Sequence, residues 1–291
     1  MKLPVFDYRR ATSVGEALLW LQEGSDETML LAGGQSLIAA MAFRRINPTS
    51  LIDINRVGGL DHIEESADGL VIGALVRYAA LEQAGRLAGA WAALPEAARY
   101  VGNYAVRSRG TLGGSIAQAD PSAELCVAAV ALDAHIQLRS RGATRQVAAT
   151  DFFLAPQTTL RAPAEIVMGI RFATPPPNAL STFEEFRERS GGLAWASVCA
   201  GLAIHDGRIS WARVGLGSVA PVPMRAMCAE AMLTGSMASA QVLAEAARVA
   251  ASECAPQPDS HTNGEHRRQL VAVVVRRALE RLLRRAEETT S

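Results

Sequence analysis

Residues 110–122 read Gly-Thr-Leu-Gly-Gly-Ser-Ile-Ala-Gln-Ala-Asp-Pro-Ser, and a shorter twin, Ala32-Gly33-Gly34-Gln35-Ser36, lies near the N-terminus. Each joins a glycine pair to a small hydroxyl residue and runs on into an apolar segment. Paired glycines let the backbone take positive φ and bring main-chain N–H groups close to a ligand with no Cβ in the way. Successive N–H groups in such a turn form a concave nest for an anion, with Ser36, Thr111 and Ser115 adding hydroxyl donors. Two such turns, meeting, would hold a diphosphate from both sides.

The flanking sequence supports a strand before the first turn and a helix after it. Met29-Leu30-Leu31 reads as a short buried strand, and Leu37 to Phe43 is apolar and helical in character. In this order the N–H groups at a helix start become available to a phosphate. Upstream, Ser13 and Glu16 form a capping box for a helix that Gly24 ends. Leu51-Ile52-Asp53-Ile54 closes a small βαβ-like unit. The later pair Gly58-Gly59 leads into the polar segment Asp61–Asp68 and reads as a linker turn.

A second block begins at Gly69, with a strand at 70–74, a short helix at 78–84 and a helix at 90–100 interrupted by Pro95. Residues 101–107 lead, strand-like, into the second glycine pair. Pro121 sits where it can open a helix with Asp120 as N-cap. Alternation over 135–139, 146–148 and 165–172 predicts strands of an antiparallel sheet. Pro175-Pro176-Pro177-Asn178 is the clearest linker. Beyond it three strands are expected at 182–189, 194–204 and 209–216, with Asp206-Gly207 as a hairpin turn. Helices at 239–253 and 267–287 finish the chain. The last has an apolar stripe (Leu270, Val271, Val274, Ala278, Leu282) flanked by Arg276, Arg277, Arg281, Arg284 and Arg285, read as a solvated basic face.

Composition excludes other classes. The 291 residues are too many for one ordinary core, and two domains are expected. Lys+Arg and Asp+Glu balance at 29 each, which argues against a general electrostatic grip on nucleic acid. The longest stretches without Asp, Glu, Lys or Arg, 28–43 and 190–205, are too short to span a membrane. The N-terminus lacks the apolar core of a signal peptide and reads as cytoplasmic. Cys126, Cys199, Cys228 and Cys254 show no C-x-x-C and read as reduced, mostly buried thiols. His261 and His266 read as a surface loop rather than a metal pair, so any redox metal is expected on another chain. Gly215-Leu216-Gly217-Ser218-Val219-Ala220 matches a dinucleotide fingerprint, but Pro221 and Pro223 follow where that fingerprint needs a helix, and a tight turn is expected instead. Arg107 and Arg109, just before the second turn, are candidates to balance a diphosphate's charge.

The runs LLAGGQSL and LIDINRVGGL, followed by AARYVGNYAVRSRGTLGGSIAQADPSAELCVAAVALDA, resemble the FAD-binding medium subunit of the molybdenum hydroxylases, the family of carbon monoxide and xanthine dehydrogenases. The likeness continues through DFF, GLGSVAPVPMRA and HRRQLVAVVVRRAL, nearly the whole chain. The resemblance implies an α+β fold: a two-lobed FAD-binding domain over 1–176 (lobes about 1–57 and 58–176), then a smaller α+β domain over 177–291 with a three-stranded antiparallel sheet and helices. It implies that Leu31, Ala32, Gly33, Gly34, Gln35 and Ser36, with Gly110, Thr111, Leu112, Gly113, Gly114 and Ser115, bind the FAD pyrophosphate. Asp120 would lie against the flavin's sugar-alcohol chain, and the segment around Ile166 would run past the cofactor. The implied partners are an iron–sulfur small subunit and a molybdenum-cofactor large subunit, two copies of each. The implied role is to take electrons from the former and pass them to an external acceptor.

The sequence also departs from the family. Ser115 stands where many relatives have Asn. Phe183-Glu184-Glu185 replaces a Tyr-Glu-Lys-like run, and Gly191-Gly192-Leu193 replaces Gly-Asp-aromatic. Leu193 thus takes the place of the ring that would cover the isoalloxazine. Two other readings are a self-sufficient flavoprotein oxidase and a non-catalytic nucleotide-binding scaffold. The first predicts substrate-dependent dye reduction by the isolated chain; the second predicts that bound flavin is not reduced within the assembled complex.

Overall fold

The computed structural model describes residues 3–25, 27–257 and 263–290. The chain opens with three parallel strands in the order β1-β3-β2: β1 (Asp7–Arg10), β2 (Thr28–Leu31) and β3 (Ser50–Asp53). Helices α1 (Val14–Glu23) and α2 (Leu37–Ala42) connect them. The Ser13 hydroxyl accepts the Glu16 N–H at 3.1 Å, and the Glu16 carboxylate returns to the Thr12 N–H and hydroxyl, one residue earlier than a standard capping box. Strand β2 is only half-buried, not buried as its composition suggested, because it forms the edge of its sheet. The core under this sheet (Ala17, Leu18, Ile52, Ile54) is shared with Leu60, Leu75 and Ile166 from the next part of the chain.

The second sheet is antiparallel, in the order β4-β5-β10-β6-β7. Its strands are β4 (Ile63–Ser66), β5 (Gly69–Gly73), β6 (His135–Arg139), β7 (Thr144–Ala148) and β10 (Ile166–Ala173). A short helix α8 (Ala149–Phe152) and a small hairpin, β8 (Phe153–Ala155) and β9 (Thr158–Thr159), lie between β7 and β10. Between β5 and β6 run α3 (Tyr78–Glu82), α4 (Ala93–Tyr100), α5 (Tyr104–Arg107), α6 (Leu112–Gln118) and α7 (Glu124–Ala131).

Three local expectations are corrected in this region. Pro95 does not interrupt a helix: it occupies the first turn of α4, where its missing N–H costs nothing. The segment before the second glycine pair is not strand-like but the short helix α5, capped by the Asn103 side chain on the Val106 N–H. Asp120 does not cap α7. Its carboxylate turns onto the Ser122 N–H and hydroxyl, and the helix begins at Glu124. Every α7 residue from Leu125 to Ala131 is buried, because the helix is enclosed between α4, α6 and α8 and the strands of the C-terminal part.

The C-terminal part is a meander of β11 (Leu180–Arg187), β12 (Ala194–His205), β13 (Arg208–Gly217) and the two-residue β14 (Met224–Arg225). Asp206 and Gly207 both take positive φ (49° and 71°), as the expected tight hairpin requires. The fourth strand is too short to leave an alternating pattern, and α9 (Met227–Leu233) also escaped the sequence reading. Helices α10 (Ala240–Glu253) and α11 (Gly264–Thr290) pack on this sheet, and the expected α11 stripe of Leu270, Val271, Val274, Ala278 and Leu282 is buried.

The basic face of α11 is not simply solvated. Arg285 reaches Glu96 of α4 (2.8 Å), and Arg281 pairs with Glu184 and lies 3.9 Å from Glu96. The other Glu96 oxygen accepts from the Thr182 hydroxyl (2.6 Å) and the Phe183 N–H (2.9 Å). One carboxylate therefore ties α4 to both β11 and α11. Removing one partner of such a mostly buried cluster leaves the rest unpaired. Glu96→Ala is expected to cost about 2 kcal/mol in urea unfolding, against well under half that for Glu245→Ala, a half-exposed partner of Arg248 on α10. Equal losses for the two would show that the Glu96 cluster does not bind these elements together.

Candidate functional site

Strand β2 ends at Leu31, and Ala32-Gly33-Gly34-Gln35-Ser36 turns the chain into α2, with Gly34 at φ +73°. Among the described residues, no protein acceptor takes the backbone N–H groups of Gly33, Gly34, Gln35 or Ser36. Gln35 folds its amide back onto the Gly33 carbonyl (3.1 Å), leaving that row of donors clear. Gly33 and Gly34 are half-buried and Gln35 and Ser36 are exposed, so the row opens to solvent, and successive N–H groups in one turn form a nest suited to an anion.

The second glycine stretch meets the first. A Cβ at Gly33 would lie 2.5 Å from the Arg109 carbonyl oxygen and 2.7 Å from Gly110 Cα. Only two bare backbones fit at that distance. Gly110 is in turn pressed on Tyr78 (2.4 Å from a would-be Cβ) and Gly113 on Ala74 (2.5 Å), so the whole stretch is wedged into its place.

The two halves are not equivalent, however. Residues 112–118 are helix α6 rather than a free turn, with Thr111 as N-cap accepting the Gly114 N–H (3.1 Å). The Leu112, Gly113 and Ser115 N–H groups are bonded to Val76, Ala74 and Thr111 carbonyls. The first turn thus offers open donors, while in the second Gly110 and Gly113 are buried against Tyr78 and Ala74, and the half-buried Gly114 and Ser115 form its outer part. Thr111 and Leu112 are each 1% exposed and serve mainly to anchor α6.

The remaining candidates divide. Asp120 is half-buried, with one oxygen turned to Ser122 and no donor to the other among the described residues. Ile166 is buried in the core with Ile54, Leu60 and Leu75, so it lies beneath the site rather than facing an open surface. Leu193 is 72% exposed in the loop between β11 and β12, and that loop approaches the backbone at Gly102 through Gly191. No described contact joins Leu193 to either glycine stretch. Arg107, expected as balancing charge, is engaged by Glu82 (2.8 Å) and by the Val101 and Gly102 carbonyls.

The structure adds residues that local sequence did not single out. Arg77 donates to the Arg109 carbonyl and to the Asn55 carboxamide oxygen (2.5 Å). Asn55 in turn holds the Ala32 carbonyl (2.8 Å) and Asp53 (2.7 Å). Tyr8 donates to the other Asp53 oxygen. Burial alone would raise the Asp53 carboxyl, but the Tyr8 and Asn55 hydrogen bonds outweigh it and hold it below the usual carboxylate range.

A second group lies just past Asp120. The Glu185 side chain is fully buried, with Arg187 at 3.3 Å and neither oxygen hydrogen-bonded. Burial and the nearby Glu124 push its carboxyl up to about 8. Burial, with a smaller contribution from Asp120, raises Glu124 to about 7. The Cys126 thiol beside Ser115 is driven up by burial and is inert at neutral pH. Cys126, Cys199 and Cys254 are buried and Cys228 is exposed, all as free thiols. Among the described residues no group of His, Cys, Asp and Glu could hold a metal ion. His266 packs edge-on against Trp195, and His261 lies outside the described residues.

The donor set fits a diphosphate: a row of open N–H groups in the first turn, seated against the Arg109–Gly110 backbone that a Cβ at Gly33 would strike. This combination defines a protein that binds a diphosphate group on a glycine-rich turn, and comparison with known proteins carries it further. Residues 4–175 match the family described as the FAD binding domain in molybdopterin dehydrogenase, and residues 181–282 match the CO dehydrogenase flavoprotein C-terminal domain. The 6-hydroxypseudooxynicotine dehydrogenase complex subunit alpha of Paenarthrobacter nicotinovorans is 34% identical, covering 99% of this chain and 98% of its own length. The glyceraldehyde dehydrogenase medium chain of Sulfolobus acidocaldarius is also 34% identical, covering 95% and 98%. The solved carbon monoxide dehydrogenase of Hydrogenophaga pseudoflava superposes with a TM-score of 0.92 at 33% identity, over 96% of this chain and 98% of that one. The chain belongs to the FAD-binding medium subunits of the molybdenum hydroxylases, an oxidoreductase family, and FAD is its cofactor.

Proposed function

We propose that this chain carries electrons from an iron–sulfur partner to an external acceptor within a molybdenum hydroxylase complex. The observation that carries the reading is the meeting of the two glycine stretches around a row of open N–H groups. The N–H groups of residues 33–36 hold the FAD diphosphate, aided by the Ser36 hydroxyl. Gly114 and Ser115 face it from the other side, with Ser115 as a hydroxyl donor, while Gly110 and Gly113 let that stretch seat closely against Tyr78 and Ala74. The open oxygen of Asp120 accepts from the sugar-alcohol hydroxyls. Residues 1–176 bind the cofactor, and residues 177–291 close over its reactive end, with Leu193 flanking the ring. Bound there, FAD supplies the ability to take up electrons singly and release them in pairs.

The protein itself positions the cofactor and needs no acid–base group acting on the organic substrate. That substrate is transformed on a molybdenum-bearing large subunit, with an iron–sulfur small subunit between the two. The assembly holds two copies of each chain and works in the cytoplasm. Relatives named as a complex subunit and as medium chains support this division of labour. Among the described residues no helix is long and apolar enough to cross a membrane. Purified alone, the chain is expected to show flavin absorbance and contain no iron. Isolated from its source, it is expected to travel with two other chains, a larger one bearing molybdenum and a smaller one bearing iron. A colourless chain that ignores added FAD would overturn the proposal, as would substrate-dependent dye reduction by the chain alone.

A further inference from the structure

The site described above depends on two stretches of chain that are far apart in sequence, one the turn between β2 and α2 and the other the start of α6. Gly33 lies against Arg109 and Gly110, but van der Waals contact between glycines fixes neither spacing nor angle. Among the described residues, the hydrogen bonds that link the two stretches pass through one side chain. The Arg77 guanidinium reaches the Arg109 carbonyl, at the foot of the second stretch, with Nη1. With Nη2 it reaches Asn55 Oδ1 at 2.5 Å. Asn55 donates to the Ala32 carbonyl (2.8 Å), at the foot of the first stretch, and to Asp53 (2.7 Å). Asp53 is itself fixed by Tyr8 from β1 and by the Asn55 N–H (2.8 Å). The Arg77 backbone forms an isolated bridge with Thr111, so the fork's own base is anchored to the second stretch.

We infer that Arg77 is a positioning residue that sets the gap between the two glycine stretches, acting through Asn55, and so preorganises the diphosphate cradle. The inference rests on the reading of those stretches as the FAD diphosphate site. A planar fork with donors in fixed directions can bridge two acceptors at once, which a lysine ammonium on a flexible stem does not reproduce. Arg77 also forms no ion pair with a carboxylate among the described residues. Burial and the neighbouring Arg109 both disfavour its charge, which an arriving diphosphate would favour. The cradle is therefore built before the ligand arrives, and the ordering cost of binding is reduced.

The test titrates the full chain, freed of flavin, with FAD and separately with ADP, which carries the diphosphate but no flavin. Arg77→Ala and Asn55→Ala are each expected to weaken both ligands about 10- to 100-fold, and the double variant to be no weaker than the worse single one. Arg77→Lys is expected to remain weak, and it provides the folded comparison should Arg77→Ala not fold. Affinity within about twofold of wild type in both Arg77 variants would overturn the inference. So would full rescue by lysine, additive single losses, or a loss confined to FAD. Gly33→Val separates the two ideas: if it binds FAD as wild type does, the cradle itself is misplaced. If it abolishes binding while the Arg77 variants bind normally, only the bracket falls.

Discussion

A Gly33→Val chain is expected to fold and yet purify without flavin, its affinity for FAD reduced at least about 100-fold, or roughly 3 kcal/mol. The valine Cβ would fall 2.5 Å from the Arg109 carbonyl oxygen and 2.7 Å from Gly110 Cα. Both obstacles are backbone, so no rotamer change relieves them. The two stretches must separate, and separation opens the cradle. Half-burial of Gly33 near the rim of the site, rather than deep in a core, is why the rest of the fold should survive. Gly58→Ala is the matched control, since a Cβ there meets nothing within 4 Å. The measurement is the flavin-to-protein absorbance ratio alongside the urea midpoint. A Gly33→Val chain that keeps full flavin, with an unchanged midpoint, would show that the contact does not bear on the cofactor.

Replacing Glu185 by glutamine should make the protein more stable in mild alkali and change little in acid. In the folded chain burial first, and Glu124 second, raise the Glu185 carboxyl to about 8, whereas in the unfolded chain it titrates near its ordinary value of 4.5. Below the unfolded value both states hold the proton, and the group contributes no pH dependence. As the pH climbs from there, the unfolded chain ionises while the folded chain retains its proton, so stability is lost progressively until the pH passes about 8. A neutral glutamine of the same length carries no such penalty. Between about pH 5 and pH 9 the variant is expected to gain on the order of a few kcal/mol over wild type. Glu124, raised to about 7 by its own burial, adds a second and smaller slope that both proteins share. Urea midpoints of the two proteins at both pH values provide the comparison. Parallel pH profiles would mean that Glu185 is ionised and solvated in the folded chain.

Much of this molecule is written in short-range pattern. The Ser13 and Glu16 cap, the strand–turn–helix order around Gly33, the Asp206-Gly207 hairpin and the apolar stripe of α11 all depend on residues within a few positions of one another. Such features carry their own local geometry, so the sequence sufficed to place them and to mark both glycine stretches, while the α+β class came from the family resemblance. The α6 start shows where this reach ends. Gly113 and Gly114 look like a free turn in sequence, but Ala74 and Val76, from the end of β5 onward, take the flanking N–H groups and fix the stretch as a helix N-terminus.

The fate of each charge was likewise decided by tertiary structure. Arg107 stands beside the second stretch in sequence, yet Glu82 of α3 draws it away, while Arg77 arrives from the preceding segment to take the place between the turns. Glu185 lies in a strand whose alternation says only which side it faces. That this side is closed off from water beside Glu124, leaving its oxygens without hydrogen bonds, follows from how the C-terminal sheet docks. Periodicity is set by neighbours along the chain. Whether a polar group is satisfied, buried or free to bind is set by groups that only folding brings within hydrogen-bonding distance.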